Sequence, residues 1–206
     1  MRLGVIFYDQ FEMLDAYGPL EMFGSLGDAL EIVSIAEHAG PVRPLKGPAT
    51  LAEYGFEDAP ELDLVLIPGG VGTFPELSNE AFIDFLKARC PSSQITMSVC
   101  TGSALLAKAG LLDNLPATSN KMYFSLAEQQ GCEVKWITSA RWVDAGQYVT
   151  SSGVSAGTDM ALAVIARIWG QEKAEAVARY TEYQWHRDAN SDPFTEFLNK
   201  AEQIGT

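Results

Sequence analysis

The sequence predicts an α/β fold: a doubly wound, mostly parallel sheet with helices on both faces, a three-layer sandwich built as one domain over residues 1–206. Three observations predict it. Strand-like and helix-like segments alternate throughout. Asp63-Leu64-Val65-Leu66-Ile67 is a continuous apolar run of the kind buried in parallel sheets, and it ends in Pro68-Gly69-Gly70. A second apolar strand, Gln94 to Val99, passes directly into a small-residue helix through Ser98-Val99-Cys100-Thr101-Gly102. A chain of 206 residues suits one sizeable α/β domain and is short for two. It has no internal repeat, low-complexity tract or linker.

Taken in order, Arg2 to Tyr8 reads as the first strand, because its short apolar run ends at Asp9. Phe11 to Tyr17 leads into a helix with Gly18-Pro19 near its start, since proline is tolerated in a first turn. Leu30 to Ala36 is the second strand, and the Gly- and Pro-containing stretch from Gly40 to Pro60 holds short strands or a hairpin. The helix from about Asn79 to Arg89 turns Phe82, Ile83, Phe85 and Leu86 to the core. The helix after Cys100 begins near Thr101 and stops at Gly110, and another covers about Met122 to Gln130. Glu133 to Ile137, Ala140 to Val143 and Tyr148 to Ser151 read as late strands around an Ala145-Gly146 turn. The helix Ala156 to Trp169 is apolar almost all round and is expected to be buried. A last helix runs from Glu172 to about Glu182, ahead of the aromatic residues Tyr183 and Trp185.

Composition excludes several function classes. The net charge of −13 argues against phosphate-backbone binding, which needs clustered Lys and Arg, so nucleic acid is not an expected partner. No stretch resembles a membrane span or a signal peptide, so membrane association is not expected and cytoplasmic residence is. Cys90, Cys100 and Cys132 are far apart and odd in number, which argues for reduced thiols and against a disulfide framework. The two histidines, His38 and His186, have no second ligand at helical spacing, so no metal site is expected.

The chemistry centres on Cys100. A residue between a strand and a helix sits on a sharp turn with its side chain exposed above the sheet, as in a nucleophile elbow. The free amides of the helix start should favour thiolate over thiol. A free cysteine taken alone is more often a core residue, but this context reads Cys100 as a nucleophile. Loops at the ends of parallel strands converge on one sheet edge, which brings the Glu12–Asp15 segment and the Gly69-Gly70 turn toward it. Gly70 can aim its backbone amide beside that of Thr101, a pair suited to developing negative charge; the bland alternative is a plain tight turn. Asp15, flanked by Leu14 and Ala16, reads as an acid with a raised pKa or, equally, as a helix cap. Glu12 competes for the acid role, with a solvated surface charge the favoured reading.

With Cys100, Pro68-Gly69-Gly70 and Leu14-Asp15-Ala16-Tyr17-Gly18-Pro19 assembled, the chain resembles the ThiJ/PfpI superfamily, whose flavodoxin-like fold is related to class I glutamine amidotransferases. The resemblance is closest to the branch of isocyanide hydratases and of the ligand-side domains of arabinose-operon-type regulators, and it extends through Val149 to Asp159. It implies that Cys100 is the nucleophile, Asp15 the acid facing its sulfur, Thr101 a contact through its amide or hydroxyl, and Gly70 the other oxyanion-hole amide. Gly153 and Val154 would line the pocket. Many relatives carry a histidine after a motif resembling Ala117-Thr118-Ser119, where this chain has Asn120-Lys121. Without that imidazole a cysteine–histidine relay lacks its base, so peptidase or amidotransferase activity is not expected. His186 reads as a packing residue.

The resemblance implies a lyase of hydratase type without a cofactor, whose partner is a small electrophilic molecule, an isocyanide first among them. Glyoxalase-type chemistry on 2-oxoaldehydes is the alternative enzyme reading, and an oxidant- or ligand-sensing thiol the non-enzyme one. Regulator-like relatives carry a DNA-binding module after this domain, and the sequence to Thr206 shows none, so direct transcriptional control is not expected. Relatives are commonly homodimers, and Tyr180, Tyr183, Trp185 and Phe194 offer a candidate patch.

Overall fold

A computed structural model describes residues 1–200. In chain order its elements are β1 (Arg2–Ile6), α1 (Met13–Gly24), β2 (Glu31–Ile35), β3 (Gly40–Val42), β4 (Thr50–Ala52) and β5 (Leu64–Ile67). There follow α2 (Thr73–Glu76), α3 (Glu80–Arg89), β6 (Ile95–Ser98), α4 (Gly102–Lys108), β7 (Pro116–Ala117) and α5 (Phe124–Glu128). The last are β8 (Lys135–Trp136), β9 (Trp142–Asp144), β10 (Tyr148–Ser151), α6 (Ala156–Trp169) and α7 (Gln171–Tyr180).

The main sheet has six strands in the order β2-β1-β5-β6-β10-β9, parallel throughout except for the β10–β9 edge. The expected α/β architecture therefore holds. Its two central strands are buried on both faces: Leu64 to Ile67 and Ile95 to Ser98 show no exposed position. Each fully buried Leu or Ile there contributes roughly 1.5–3 kcal/mol relative to exposure. The helices fall into two groups, α1 packed on α6 with α7, and α3, α2 and α5 packed on α4. The stripe of α3 faces inward as its spacing dictates, with Phe82, Ile83, Phe85 and Leu86 all buried and Asn79 capping the helix by accepting the Ala81 and Phe82 N–H groups.

The Gly40–Pro60 stretch does hold a hairpin, the antiparallel pair β3–β4. Two expectations shift. Pro19 lies in the middle of α1, not in its first turn, so the carbonyl of Asp15 loses the helical donor it would otherwise receive. Glu133 to Ile137 shrinks to the two residues of β8, paired in parallel with β7 outside the main sheet. Among the C-terminal aromatics, Tyr180 and Phe194 are exposed while Tyr183 and Trp185 pack against the core. Among the described residues no helix is long and apolar enough to cross a membrane.

Candidate active site

β6 delivers the chain into the turn Val99-Cys100-Thr101 and then into α4. Cys100 has φ 59°, a left-handed conformation that a non-glycine residue holds only when its surroundings fix it. They do. Its N–H donates to the Ser152 carbonyl at 3.0 Å, and its carbonyl accepts from Ser119 Oγ at 3.1 Å and Ser103 Oγ at 3.2 Å. Gly102 follows because a Cβ there would stand 2.5 Å from the Ile67 carbonyl oxygen. The result is the expected sharp turn, but the exposure expected of its side chain needs correction: the surrounding loops close over Cys100, which is only 6% exposed.

Asp15 is the third residue of α1 and is fully buried. It is not the helix cap; that position belongs to Glu12, whose side chain makes no capping bond. Asp15 Oδ2 accepts the Gly69 N–H at 2.9 Å, whereas Oδ1 has no hydrogen-bond partner of good geometry among the described residues. Burial pushes the carboxyl up to about 8; the Gly69 N–H and the neighbouring Cys100 thiol pull it down, and the Glu12 charge adds to the rise. An oxygen that faces a donor must accept, so in the neutral acid the proton resides on Oδ1. Glu12 is half-buried, is tied through its backbone N–H to the Gly69 carbonyl at 2.8 Å, and acts on the site only as a nearby charge. Of the two acids, Asp15 is the one beside Cys100.

The ionisation expected of Cys100 needs correction. Burial, and then the Asp15 charge, hold the thiol well above its ordinary value. The N–H groups of Thr101 and Val154 and the side chain of Asn120 act in the opposite direction without overcoming them. The donors of the helix start are present, but desolvation outweighs them. At rest the site therefore pairs a neutral thiol with a largely neutral carboxyl.

Gly70 also departs from expectation. Its amide is not free beside that of Thr101, because it donates to Thr101 Oγ1 at 3.0 Å. That hydroxyl also pairs with Thr73 Oγ1 at 2.8 Å, which in turn lies 3.0 Å from the Tyr8 hydroxyl. Tyr8 donates to the Pro68 carbonyl at 2.7 Å. The chain of bonds locks the Pro68-Gly69-Gly70 turn onto the elbow. Gly69, to which the sequence reading gave no role, permits the approach: a Cβ on it would meet Thr101 N and Oγ1 at 2.6 Å and Asp15 Oδ2 at 2.9 Å.

Asn120, to which the sequence reading assigned no role, is the other one missed. Asn120 Nδ2 donates to Cys100 Sγ at 3.1 Å, and Asn120 Oδ1 accepts the Tyr123 N–H at 3.1 Å. Because a backbone N–H can only donate, that second bond fixes which end of the amide meets sulfur. Gly153 makes room for it, since a Cβ there would fall 2.7 Å from Nδ2; the glycine thus serves Asn120. Val154, at φ 35°, presents its N–H to the sulfur. The Asn120-Lys121 departure noted in the sequence was the available signal: Asn120 meets the sulfur with an amide, which has no basic nitrogen to take the thiol proton.

Beneath Asn120, Lys121 is buried and donates to Thr118 Oγ1 at 2.8 Å and the Ala140 carbonyl at 2.6 Å, with Asp192 at 3.7 Å. Burial lowers its pKa to about 8 against the pull of Asp192. Arg141 joins the cluster through Asp159 at 2.6 Å and Asp192 at 3.9 Å. His186 belongs to this layer and not to the thiol: its N–H donates to Asp159 Oδ1 at 2.8 Å, and its ring lies 3.3 Å from the Ser191 carbonyl. Among the described residues no group of three His, Cys, Asp or Glu is placed to hold a metal ion.

The chain is similar to several known proteins. The chain is 32% identical over 184 residues to an isonitrile hydratase of Pseudomonas putida, covering 89% of this chain and 78% of that protein. A crystal structure of a ThiJ/PfpI family protein from Pseudomonas syringae superposes with a TM-score of 0.80 at 31% identity, covering 89% of this chain and 75% of that one. The HTH-type transcriptional regulator GbdR of Pseudomonas aeruginosa is 32% identical over 132 residues, 64% of this chain and only 35% of the regulator. The model of the DJ-1/PfpI family matches residues 1–167, a span holding Asp15, Gly69, Cys100 and Asn120, and the chain belongs to that family.

Proposed function

We propose that the protein is a cysteine-dependent hydro-lyase that adds water to an isocyanide, giving an N-substituted formamide. One observation carries the reading: Asp15, fully buried with its carboxyl pKa pushed up, stands beside Cys100, and the other side chain on the sulfur is an amide, Asn120, that cannot accept its proton. Cysteine chemistry that needs an imidazole base is poorly served by this site. Addition to a carbon that accepts a nucleophile and a proton together is well served. The similarity to an isonitrile hydratase supports the same substrate class.

The steps balance on the groups present. Cys100 sulfur bonds to the terminal carbon while Asp15 Oδ1 delivers its proton to that carbon and the carboxyl takes the thiol proton, leaving a thioimidate. Water then adds to the same carbon, its proton passing through Asp15 to the imine nitrogen. The C–S bond of the resulting adduct breaks, its hydroxyl proton returns to sulfur, and the formamide leaves. The N–H groups of Asn120, Thr101 and Val154 stabilise charge on sulfur as the thiol ionises. There is no net oxidation, so the reaction as written calls for no redox partner.

Glyoxalase-type chemistry would need Asp15 to move a proton between two carbons, and a carboxyl held near 8 makes a capable base only in its minority form at neutral pH. A sensing role is less well supported, because peroxide reacts with thiolates and Cys100 is held as thiol. The test is direct. Purified protein incubated with an aryl isocyanide should produce the formamide, and Cys100→Ala should abolish production. Equal rates for the two proteins would remove the reading, and methylglyoxal turnover to lactate above isocyanide turnover would replace it.

A further inference from the structure

Two exposed aromatic rings stand on the segments that hold the Cys100 elbow, Phe74 on α2 and Tyr123 just before α5. Phe74 follows Thr73, whose Oγ1 is 2.8 Å from Thr101 Oγ1. Tyr123 donates its N–H to Asn120, whose amide in turn touches Cys100 Sγ. The rings meet edge to face with centroids 6.4 Å apart, so they join α2 to the loop before α5. Both remain open, Phe74 at 48% and Tyr123 at 43%, and Val71 beside them is 48% exposed. Neither ring anchors the fold: both hold a large share of their apolar surface in water, although each side of the arch is tethered to the reactive turn by hydrogen bonds.

We propose that Phe74 and Tyr123, with Val71, form the subsite for the organic substituent of the substrate, and that the protein selects electrophiles bearing an aryl or similarly flat apolar group over short alkyl ones. This deepens the reading above and names the substrate class of the same site. Three features support it. On each side of the arch short contacts lead from the ring's residue to the elbow, through Asn120 for Tyr123 and through Thr73 and Thr101 for Phe74, which brings the rings within a small molecule's reach of Cys100. Phe74, Tyr123 and Val71 each keep close to half of their surface open, which leaves apolar area for a bound substituent to cover. A ring added to an edge-to-face pair gains aromatic contact beyond its area burial.

The experiment separates this subsite from the proposed reaction. Iodoacetamide and its N-phenyl analogue alkylate cysteine by one chemistry, in which the S–C bond forms, the C–I bond breaks, iodide leaves and the thiol proton passes to Asp15 or solvent. Their rates at Cys100 are read by peptide mass spectrometry in a Cys132→Ser background, because Cys132 is exposed. The N-phenyl reagent should react about 5- to 10-fold faster relative to its parent than it does with a free thiol, as an aromatic contact of this kind supplies. Phe74→Ala and Tyr123→Ala should each reduce that preference toward the free-thiol ratio, while Tyr123→Phe retains it. With isocyanides, the same alanine variants should raise KM for the aryl substrate with kcat little changed and leave a short alkyl isocyanide unaffected. An unchanged ratio in the alanine variants, or no alkylation of Cys100 by either reagent, overturns the subsite. So does conversion of a dimer to a monomer by Phe74→Ala in light scattering, which would assign the rings to a second copy. If the ratio responds as expected but no isocyanide is hydrated, the subsite stands and the reaction is wrong.

Discussion

Replacing Asp15 with Asn tests the central electrostatic feature through stability instead of turnover. The carboxyl ionises near its ordinary value of 3.8 in the unfolded chain and at about 8 in the folded one, because burial disfavours its charge. Between those values the unfolded state is ionised while the native state keeps its proton, so native structure binds more protons and stability falls as pH rises. The loss begins near pH 4, proceeds at up to about 1.4 kcal/mol per pH unit, and ends as pH passes 8. At pH 7 it amounts to on the order of 4 kcal/mol. Asn keeps an acceptor for the Gly69 N–H and carries no charge, so Asp15→Asn should be more stable than wild type at neutral pH by an amount of that order, with the advantage vanishing near pH 4. It should also be inactive, since an amide cannot relay a proton. The assay is urea unfolding of both proteins from pH 4 to 8.5, with midpoint and slope measured at each pH. Parallel stability profiles, or a variant less stable than wild type at pH 7, would refute the claim that Asp15 is held neutral by burial.

Isocyanide turnover should decline as pH rises through about 8, where Asp15 gives up the proton it must deliver, and the decline should be followed by initial rates on a single aryl isocyanide. Asn120→Ala removes the amide at 3.1 Å from sulfur and should slow both turnover and Cys100 alkylation by about 10- to 100-fold, the equivalent of about 1.5–3 kcal/mol for a hydrogen bond to a developing charge. Gly69→Ala forces a methyl to 2.6 Å from Thr101 N and 2.9 Å from Asp15 Oδ2; about 1–3 kcal/mol of stability should be lost, with activity falling more steeply than stability, as thermal unfolding and turnover together would show. Light scattering should report a homodimer. If it does, Tyr180→Ser should weaken dimerisation, because that ring is 78% exposed on α7.

The fold was legible because its signals are local. The unbroken apolar runs of β5 and β6 and the small-residue helix after Cys100 each specify one kind of element, and alternation specifies the parallel sheet. Cys100 and Asp15 were legible for the same reason, one from its strand–helix junction and the other from its apolar flanks. What escaped depends on contacts between distant segments. The Gly70 amide points at a hydroxyl 31 residues away, and which of two adjacent glycines admits the close approach is decided by the packing of α1 and α4 against the turn. The direction of the Cys100 shift escaped because a helix start alone favours thiolate, whereas depth of burial is a property of the whole molecule. Asn120 was visible as a departure, but its contact to sulfur required Gly153, in another loop, to lack a side chain.

The ion pairs under Asn120 couple two parts of the chain that a family comparison would treat separately. Lys121 lies within the stretch matched by the family model, and Asp192 lies beyond it. Removing Asp192 leaves the Lys121 ammonium buried without a charged partner, a loss of about 3–5 kcal/mol, whereas removing Lys121 still leaves Asp192 facing Arg141 at 3.9 Å. A change at position 192 should therefore be accepted only together with one at 121, and the tail segment around Asp192 is in effect a splint for the loop that steers the amide onto sulfur.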